Sequence, residues 1–239
     1  MIFLARDMTR DRSMDRLKSD FISVAAHELR TPLATILGFS ELLLNDTGAS
    51  KKDREDFART IFEKADALSR LLDDMLDISR IESGRGLELF IDSVPVEALF
   101  TPVLSQYRKR VEDREFNVDI EDPELLLLAD PEKIAQVMEN LLSNAVKYSG
   151  DKSKISIVGK TTVDGYRLSI EDEGVGMTPE QVSHAFDKFY RGDNADKAIK
   201  GTGIGLTIVK HIIEEHKGRV LIESRPGKGT RVHFVLPVA

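Results

Sequence analysis

The sequence predicts a two-part fold, α followed by α/β. A helical hairpin, expected to pair with a second copy as a four-helix bundle, precedes a two-layer α/β sandwich. Three observations predict it. Apolar residues recur at three- and four-residue steps through two long N-terminal stretches joined by a short turn. Beyond about residue 85 the texture changes to short strands alternating with helices. Two glycine clusters fall in this second part, one following a strand and one running into a helix.

The first helix is expected over 13–45, where Leu17, Phe21, Ala25, Leu29, Ile36, Phe39 and Leu43 mark an apolar stripe. Pro32 falls inside it, although an interior proline removes a backbone donor at a cost of about 3 kcal/mol. NDTGAS (45–50) is turn chemistry. A second helix follows with a seam of Phe57, Ile61, Ala65, Leu68, Leu72, Met75 and Ser79, and Glu82-Ser83-Gly84-Arg85-Gly86 ends it. A lone hairpin cannot bury both stripes, hence the expected homodimer; a monomeric hairpin packed on the rest of the chain is the alternative. The divisions are then 1–12, an N-terminal segment; 13–84, the hairpin; 85–90, a linker; and 91–239, the α/β domain.

In that domain strands are expected at LELFIDS (87–93), FNVDIE (116–121), KISIVGKTTV (154–163), YRLSIED (166–172), GRVLIES (218–224) and RVHFVLPV (231–238). LLLLA (125–129) reads as a buried strand, and SRPGKGT as the hairpin turn between the last two. Helices are expected near 95–112, 131–148, 179–187 and 204–216. Strict alternation over 166–171 suggests a sheet with one covered face.

The bulk numbers bound the function. The chain has 239 residues, 41% hydrophobic and 31% charged, with a net charge of −7. A globular protein fits; a strongly cationic nucleic-acid surface does not. Without cysteine there are no disulfides, thiolate zinc sites or thiol nucleophiles, which fits a reducing, cytoplasmic setting. No apolar run reaches the roughly 18 residues that a membrane span needs. His184, His211, His216 and His233 are scattered and read as surface or lid residues rather than a zinc site.

Three stretches point to nucleotide chemistry. EDEGVGM (171–177) and KGTGIGL (200–206) offer bare amides, and the second opens a helix whose dipole favours phosphate. Neither fits a P-loop, and the polar segment before Gly201 does not fit a Rossmann strand. PEKIAQVMENLLSNAVKYS (131–149) is helical, with Asp130 as N-cap and Pro131 at N1. Asn140, Asn144 and Lys147 share its polar face, a set suited to Mg²⁺ and phosphate oxygens, or simply a solvated face.

Together with AAHELRTPL (25–33), these stretches resemble sensor histidine kinases of two-component systems. AAHELRTPL resembles their H-box, NLLSNAVKYS the N-box, EDEGVGM the G1-box, FDKFYRG (186–192) the F-box and GTGIGL the G2-box, all in the family's order. The resemblance implies an ATP-binding sandwich of the type shared with DNA gyrase and heat-shock chaperones. It implies that Asn140 ligates Mg²⁺, that Asn144 and Lys147 lie near the phosphates, and that Tyr148 lies against the base. Asp172 would accept from the adenine amino group, with Gly174 and Gly176 letting backbone approach the base. Residues 177–200 would be a lid anchored by Phe186, Phe189 and Tyr190, with Arg191 reaching phosphate. Gly201, Thr202, Gly203, Gly205 and Leu206 would receive the phosphate chain.

On the hairpin, the resemblance makes His27 the phosphoacceptor and Glu28 its general base. Thr31 would place a water for dephosphorylating the partner, and Arg30 would meet phosphate charge. The partner would be the receiver domain of a response regulator, docking near Val24, Ile36 and Leu37. FLARDMTRDR resembles the exit motif of PAS sensor domains, which makes 1–12 either the end of an upstream sensor or a plain remnant. Two other functions are compatible with parts of the pattern: a catalytically silent dimeric nucleotide-binding module, and a clamp-driving ATPase of the same fold.

Overall fold

The computed structural model describes residues 9–45, 48–111, 114–150, 153–190 and 202–239, with side chains of the first helix described from residue 22 onward. The N-terminal motif therefore lies largely outside the described residues, as do Arg191 and Gly201. The chain forms two compact units, the first running to Ser79 and including Thr202 and Gly203, and the second made of the other described residues from Arg80 onward.

The first unit is the expected hairpin. Helix α1 spans Thr9–Leu44 and α2 spans Lys51–Glu82. Pro32 does not end α1. The hydroxyls of Thr31 and Thr35 donate to the carbonyls of His27 (3.2 Å) and Thr31 (3.0 Å), adding bonds on either side of the missing donor. Ser50 caps α2: its hydroxyl accepts from the Asp53 N–H (3.2 Å), and its own N–H donates back to the Asp53 carboxylate (2.9 Å). The Phe39 and Phe57 rings meet at 5.2 Å across the hairpin. The seam of α2 is shallower than its periodicity suggests, with Leu72 47% exposed.

The second unit places β1 (Asp92–Pro95), α3 (Val96–Arg110), β2 (Phe116–Ile120), β3 (Leu126–Ala129), α4 (Pro131–Tyr148), β4 (Ile155–Thr162), β5 (Gly165–Asp172), α5 (Pro179–His184), α6 (Gly205–Glu215), β6 (Arg219–Ser224) and β7 (Thr230–Leu236) in order. The main sheet runs β2-β4-β5-β7-β6, with β2 parallel to β4 and the other pairs antiparallel. Helix α4 packs against both α3 and α6, and Phe100, Met138, Leu142, Ile208, Ile212 and Phe234 are fully buried in the core. Each such side chain contributes on the order of 1.5–3 kcal/mol through removal from water.

Several expectations need correction. The strand expected at 87–93 begins only at Asp92, because the Phe90 N–H donates to the Asp130 carboxylate (2.9 Å) instead of a ladder partner. LLLLA is half-buried rather than buried: Leu127 and Ala129 point inward while Leu126 and Leu128 stay exposed. It pairs antiparallel with β1 in a separate two-stranded sheet. The helix expected over 179–187 stops at His184.

The histidines divide differently from the surface reading. His184 is exposed and His211 half-buried, but His216 and His233 are buried. His216 sits at the C-cap of α6, where its Nδ1 lies 2.7 Å from the Ile212 carbonyl and its Nε2 accepts from the Asp130 N–H at 2.9 Å. Only the neutral, Nδ1-protonated ring satisfies both partners. Burial holds its pKa below the ordinary histidine value, despite the opposing Ile212 bond and the Asp130 and Glu215 charges.

Candidate functional site

Helix α4 presents the polar face that the sequence suggests. Asp130 starts it, its carboxylate accepting from the backbone of Glu132 (3.0 Å) and Lys133 (3.1 Å). The Asp130 carboxylate also accepts from the Phe90 N–H and its own N–H donates to His216, so the cap ties α4 to the linker and to the end of α6. Along the helix Asn140, Asn144 and Tyr148 are half-buried and Lys147 is exposed. The Asn140 amide nitrogen donates to the Gln136 carbonyl (3.2 Å), which directs its Oδ1 toward α6. A Cβ on Gly205 would stand 2.6 Å from that oxygen. Glycine at the first residue of α6 lets that oxygen come this close. Asn140 and the start of α6 are thereby brought together, with Leu206 half-buried beside them; Thr202 and Gly203 precede the helix.

The second part of the site lies where β5 ends. Asp172 is 7% exposed, and one of its oxygens accepts from the Gly174 N–H at 2.8 Å. Burial raises its pKa above the ordinary carboxylate value, opposed by backbone bonds from Gly174 and Thr230 and by the Arg114 charge. The loop that follows is locked to α4 and to the β6–β7 turn: Val175 N donates to the Tyr148 carbonyl (3.1 Å), Gly229 N to the Gly174 carbonyl (3.0 Å) and Gly227 N to the Val175 carbonyl (2.7 Å). A Cβ on Gly174 would stand 2.3 Å from the Tyr148 carbonyl oxygen, and one on Gly176, at φ +66°, 2.0 Å from that of Arg225. Within this fold both glycines are required by neighbouring backbone.

The segment between the glycine loops has its own order. Thr178 and Gln181 form a reciprocal capping box at the start of α5. The Thr207 hydroxyl of α6 donates to the Phe186 carbonyl (3.1 Å), and Phe189 is buried at φ +65°, a conformation costly for an aromatic residue. Tyr190 lies beside His184, ring centroids 5.4 Å apart.

On the first unit, His27 is exposed, Glu28 half-buried, and Arg30 and Thr31 exposed. Sequence reasoning missed Arg114, Thr230 and Gly229. The last two left one signal, the turn SRPGKGT, which reads as a hairpin and not as the platform beneath Asp172. Among the described residues no group of three or more His, Cys, Asp or Glu side chains could hold a metal. No helix among them is long and apolar enough to cross a membrane.

A helical hairpin with an exposed histidine, joined to an α/β sandwich with a buried carboxylate beside glycine-rich loops, defines a class: nucleotide-binding proteins with an attached phosphoacceptor. Residues 17–84 match the His Kinase A (phospho-acceptor) domain, and 129–239 match the histidine kinase-, DNA gyrase B- and HSP90-like ATPase. Drug sensory protein A of Synechocystis sp. is 35% identical over the whole chain, which covers 38% of that protein. Sensor protein SrrB of Staphylococcus aureus is 31% identical over 99% of the chain, covering 41% of its length. The chain thus spans about two fifths of the curated relatives it matches. Among solved structures, full-length ShkA in complex with AMPPNP matches 92% of the chain and 46% of its own at a TM-score of 0.65 and 26% identity. Acinetobacter baumannii histidine kinase AdeS shares the fold over 88% of the chain and 97% of its own, at a TM-score of 0.61 and 24% identity. The chain belongs to the sensor histidine kinase family, carrying a phospho-acceptor domain followed by an ATPase domain.

Proposed function

We propose that ATP bound in the second unit phosphorylates His27, and that the phosphoryl group then passes to an aspartate in the receiver domain of a response regulator. One observation carries this reading: an exposed histidine in the matched phospho-acceptor segment shares a chain with a matched ATPase segment whose buried Asp172 is poised as an acceptor. The imidazole nitrogen of neutral His27 attacks the γ-phosphorus. An N–P bond forms as the bond to the β,γ-bridging oxygen breaks, and ADP leaves. The proton on the other ring nitrogen goes to Glu28. Histidine suits this because its ordinary pKa of about 6.5 leaves a free lone pair at neutral pH.

In the second unit, Asp172 accepts from the adenine amino group and Tyr148 lies against the base. Asn144, Lys147 and Arg191 meet the phosphates, and Gly201, Thr202, Gly203, Gly205 and Leu206 receive the chain at the start of α6. Gly174 and Gly176 shape the base pocket, with Phe189 and Tyr190 anchoring a lid. Asn140 is the Mg²⁺ ligand: with its amide nitrogen engaged by Gln136, its Oδ1 is the hard oxygen that this ion prefers. Held there, Mg²⁺ would supply positive charge to the phosphates. Thr31 and Arg30 act in the reverse sense, placing a water and phosphate charge when the regulator is dephosphorylated.

The active form is a homodimer. Exposed Ile22, Leu33, Leu37 and Leu44 fall on one face of α1, and exposed Phe62, Leu72 and Leu76 on one face of α2. A second hairpin covers both stripes in a four-helix bundle. The test is incubation with ATP labelled at the γ-phosphate. Wild type should acquire acid-labile, alkali-stable label, and His27→Gln should acquire none while still binding ATP. Label retained in that variant would refute the assignment. ATP binding with no label in wild type would favour a silent signalling module.

A further inference from the structure

The segment between α2 and β1 is held on the second unit by one carboxylate. Helix α2 closes first. The Gly84 N–H donates to the Ile81 carbonyl (3.3 Å) and the Arg85 N–H to that of Arg80 (3.2 Å), with Gly84 at φ +70°. Leu87 is already buried, at 8% exposure, and the Phe90 N–H is bonded to Asp130. Strand β1 then begins at Asp92. Between the helix cap and the first buried linker residue stands Gly86 alone, at φ +67°. The linker is therefore no slack tether: it has a single joint.

The anchor divides its two oxygens. Asp130 is 4% exposed. Its Oδ1 accepts from the N–H groups of Glu132 (3.0 Å) and Lys133 (3.1 Å) and so caps α4. Its Oδ2 accepts from the Phe90 N–H (2.9 Å), 40 residues away in the chain. An N-cap needs one acceptor oxygen, which asparagine supplies as well as aspartate. The second oxygen serves the linker, and there an amide would present a donor instead. The backbone of Asp130 is fixed in turn. Its N–H donates to Nε2 of the buried His216 (2.9 Å), whose Nδ1 lies 2.7 Å from the Ile212 carbonyl. The clasp thus joins the linker to the start of α4 and the end of α6. Those two helices carry Asn140 and Gly205, which meet at the proposed phosphate site.

We infer that Asp130 is a positioning residue for phosphoryl transfer: by docking the linker it leaves Gly86 as the one joint of the tether that carries the ATP site, and so raises the effective concentration of bound ATP at His27. This rests on the proposed transfer to His27. Released from Asp130, the chain from Gly86 to Ile91 becomes six free residues that extend to about 20 Å. Effective concentration falls roughly as the −3/2 power of tether length, which for one residue against six is about an order of magnitude.

The test pairs a rate with a local probe on the full chain. Asp130→Asn keeps the oxygen that caps α4 and turns an NH₂ toward Phe90. The Phe90 amide should exchange at least about tenfold faster. ATP affinity by calorimetry and the melting point should stay with wild type, while the rate of His27 labelling at saturating ATP falls about tenfold. Inserting Gly-Ser after Gly86 leaves the clasp intact but adds joints. Phe90 should stay protected and labelling should slow about fivefold, with at most about a 1.5-fold further loss when the insertion is combined with Asp130→Asn. The insertion also keeps the inference falsifiable should Asp130→Asn not fold. A purely structural role would lower ATP affinity, melting point and rate together in Asp130→Asn and leave the insertion silent, which would overturn the inference. So would a Phe90 amide as protected in Asp130→Asn as in wild type, or labelling at the wild-type rate or faster in either variant. Wild type that binds ATP without labelling His27 overturns the transfer itself and the inference with it; a labelled wild type with unslowed variants overturns the Asp130 assignment alone.

Discussion

The two units are stabilised in opposite ways. In the hairpin only Ala25, Asp77 and Ile78 are buried among the residues whose side chains are described, and apolar stripes on both helices face outward. The α/β unit encloses a core in which Leu142, Met138, Ile208 and Phe234 are wholly removed from water. The exposed His27 is accordingly carried on a surface that the proposed second copy would complete, and the buried Asp172 in a unit that closes by itself. The unit that offers its histidine to solvent cannot also bury enough apolar area to stand alone. In the proposed dimer its stability is therefore tied to protomer concentration.

The largest expected effect breaks this comparison on the hairpin side. Leu37→Asp puts a charge on the outward stripe of each copy. An unpaired buried charge costs roughly 3–5 kcal/mol, so dimer affinity should fall by more than about two powers of ten. Sedimentation at micromolar protein should show monomers while ATP binding persists; an intact dimer would place the interface elsewhere. Next comes a cavity in the other unit. Leu142→Ala should cost about 2–5 kcal/mol, in a denaturant transition that does not depend on protein concentration.

Acidity should also separate the units. For His216 the folded pKa lies below the unfolded one. The unfolded chain then binds more protons as pH falls through the ordinary histidine range, so stability must drop there. The α/β unit should lose thermal stability from pH 7 toward pH 5, and His216→Gln should flatten that slope. Asp172 acts with the opposite sign. Its folded pKa is raised, so its contribution is full below the unfolded carboxylate pKa and is lost as pH rises through the folded value. Asp172→Asn should therefore melt higher than wild type at pH 7 while binding ATP less well, and a lower melting point would show that the carboxylate supports the fold. The smallest effect belongs to the capping box of α5. Thr178→Ala should cost about 1 kcal/mol, seen as faster amide exchange in that helix and no change in the hairpin.

Much of this was legible in the sequence because it is local. The helices follow from periodicity, the Asp130 cap from an Asp-Pro pair before an apolar run, and the Asn140, Asn144 and Lys147 face from spacing alone. What escaped is long-range. His216 bonds Asp130 across 86 residues and Arg114 reaches Ser149 across 35. No window of sequence holds both ends of such a link, so His216 reads as a surface residue and Arg114 as one more charge. The strand at 87–93 fails for the same reason, since the Phe90 N–H is claimed by a carboxylate 40 residues away. The glycines at 174 and 176 were legible as a need for backbone freedom, but their partners, the Tyr148 and Arg225 carbonyls, were not.

The most direct test of the account is to locate the phosphate. After incubation with Mg²⁺ and γ-labelled ATP, peptides prepared at alkaline pH should carry a phosphoramidate on His27 and nowhere else, and the label should move to a receiver domain added afterwards. Label on a hydroxyl or carboxylate of this chain, or on any other histidine, would contradict it.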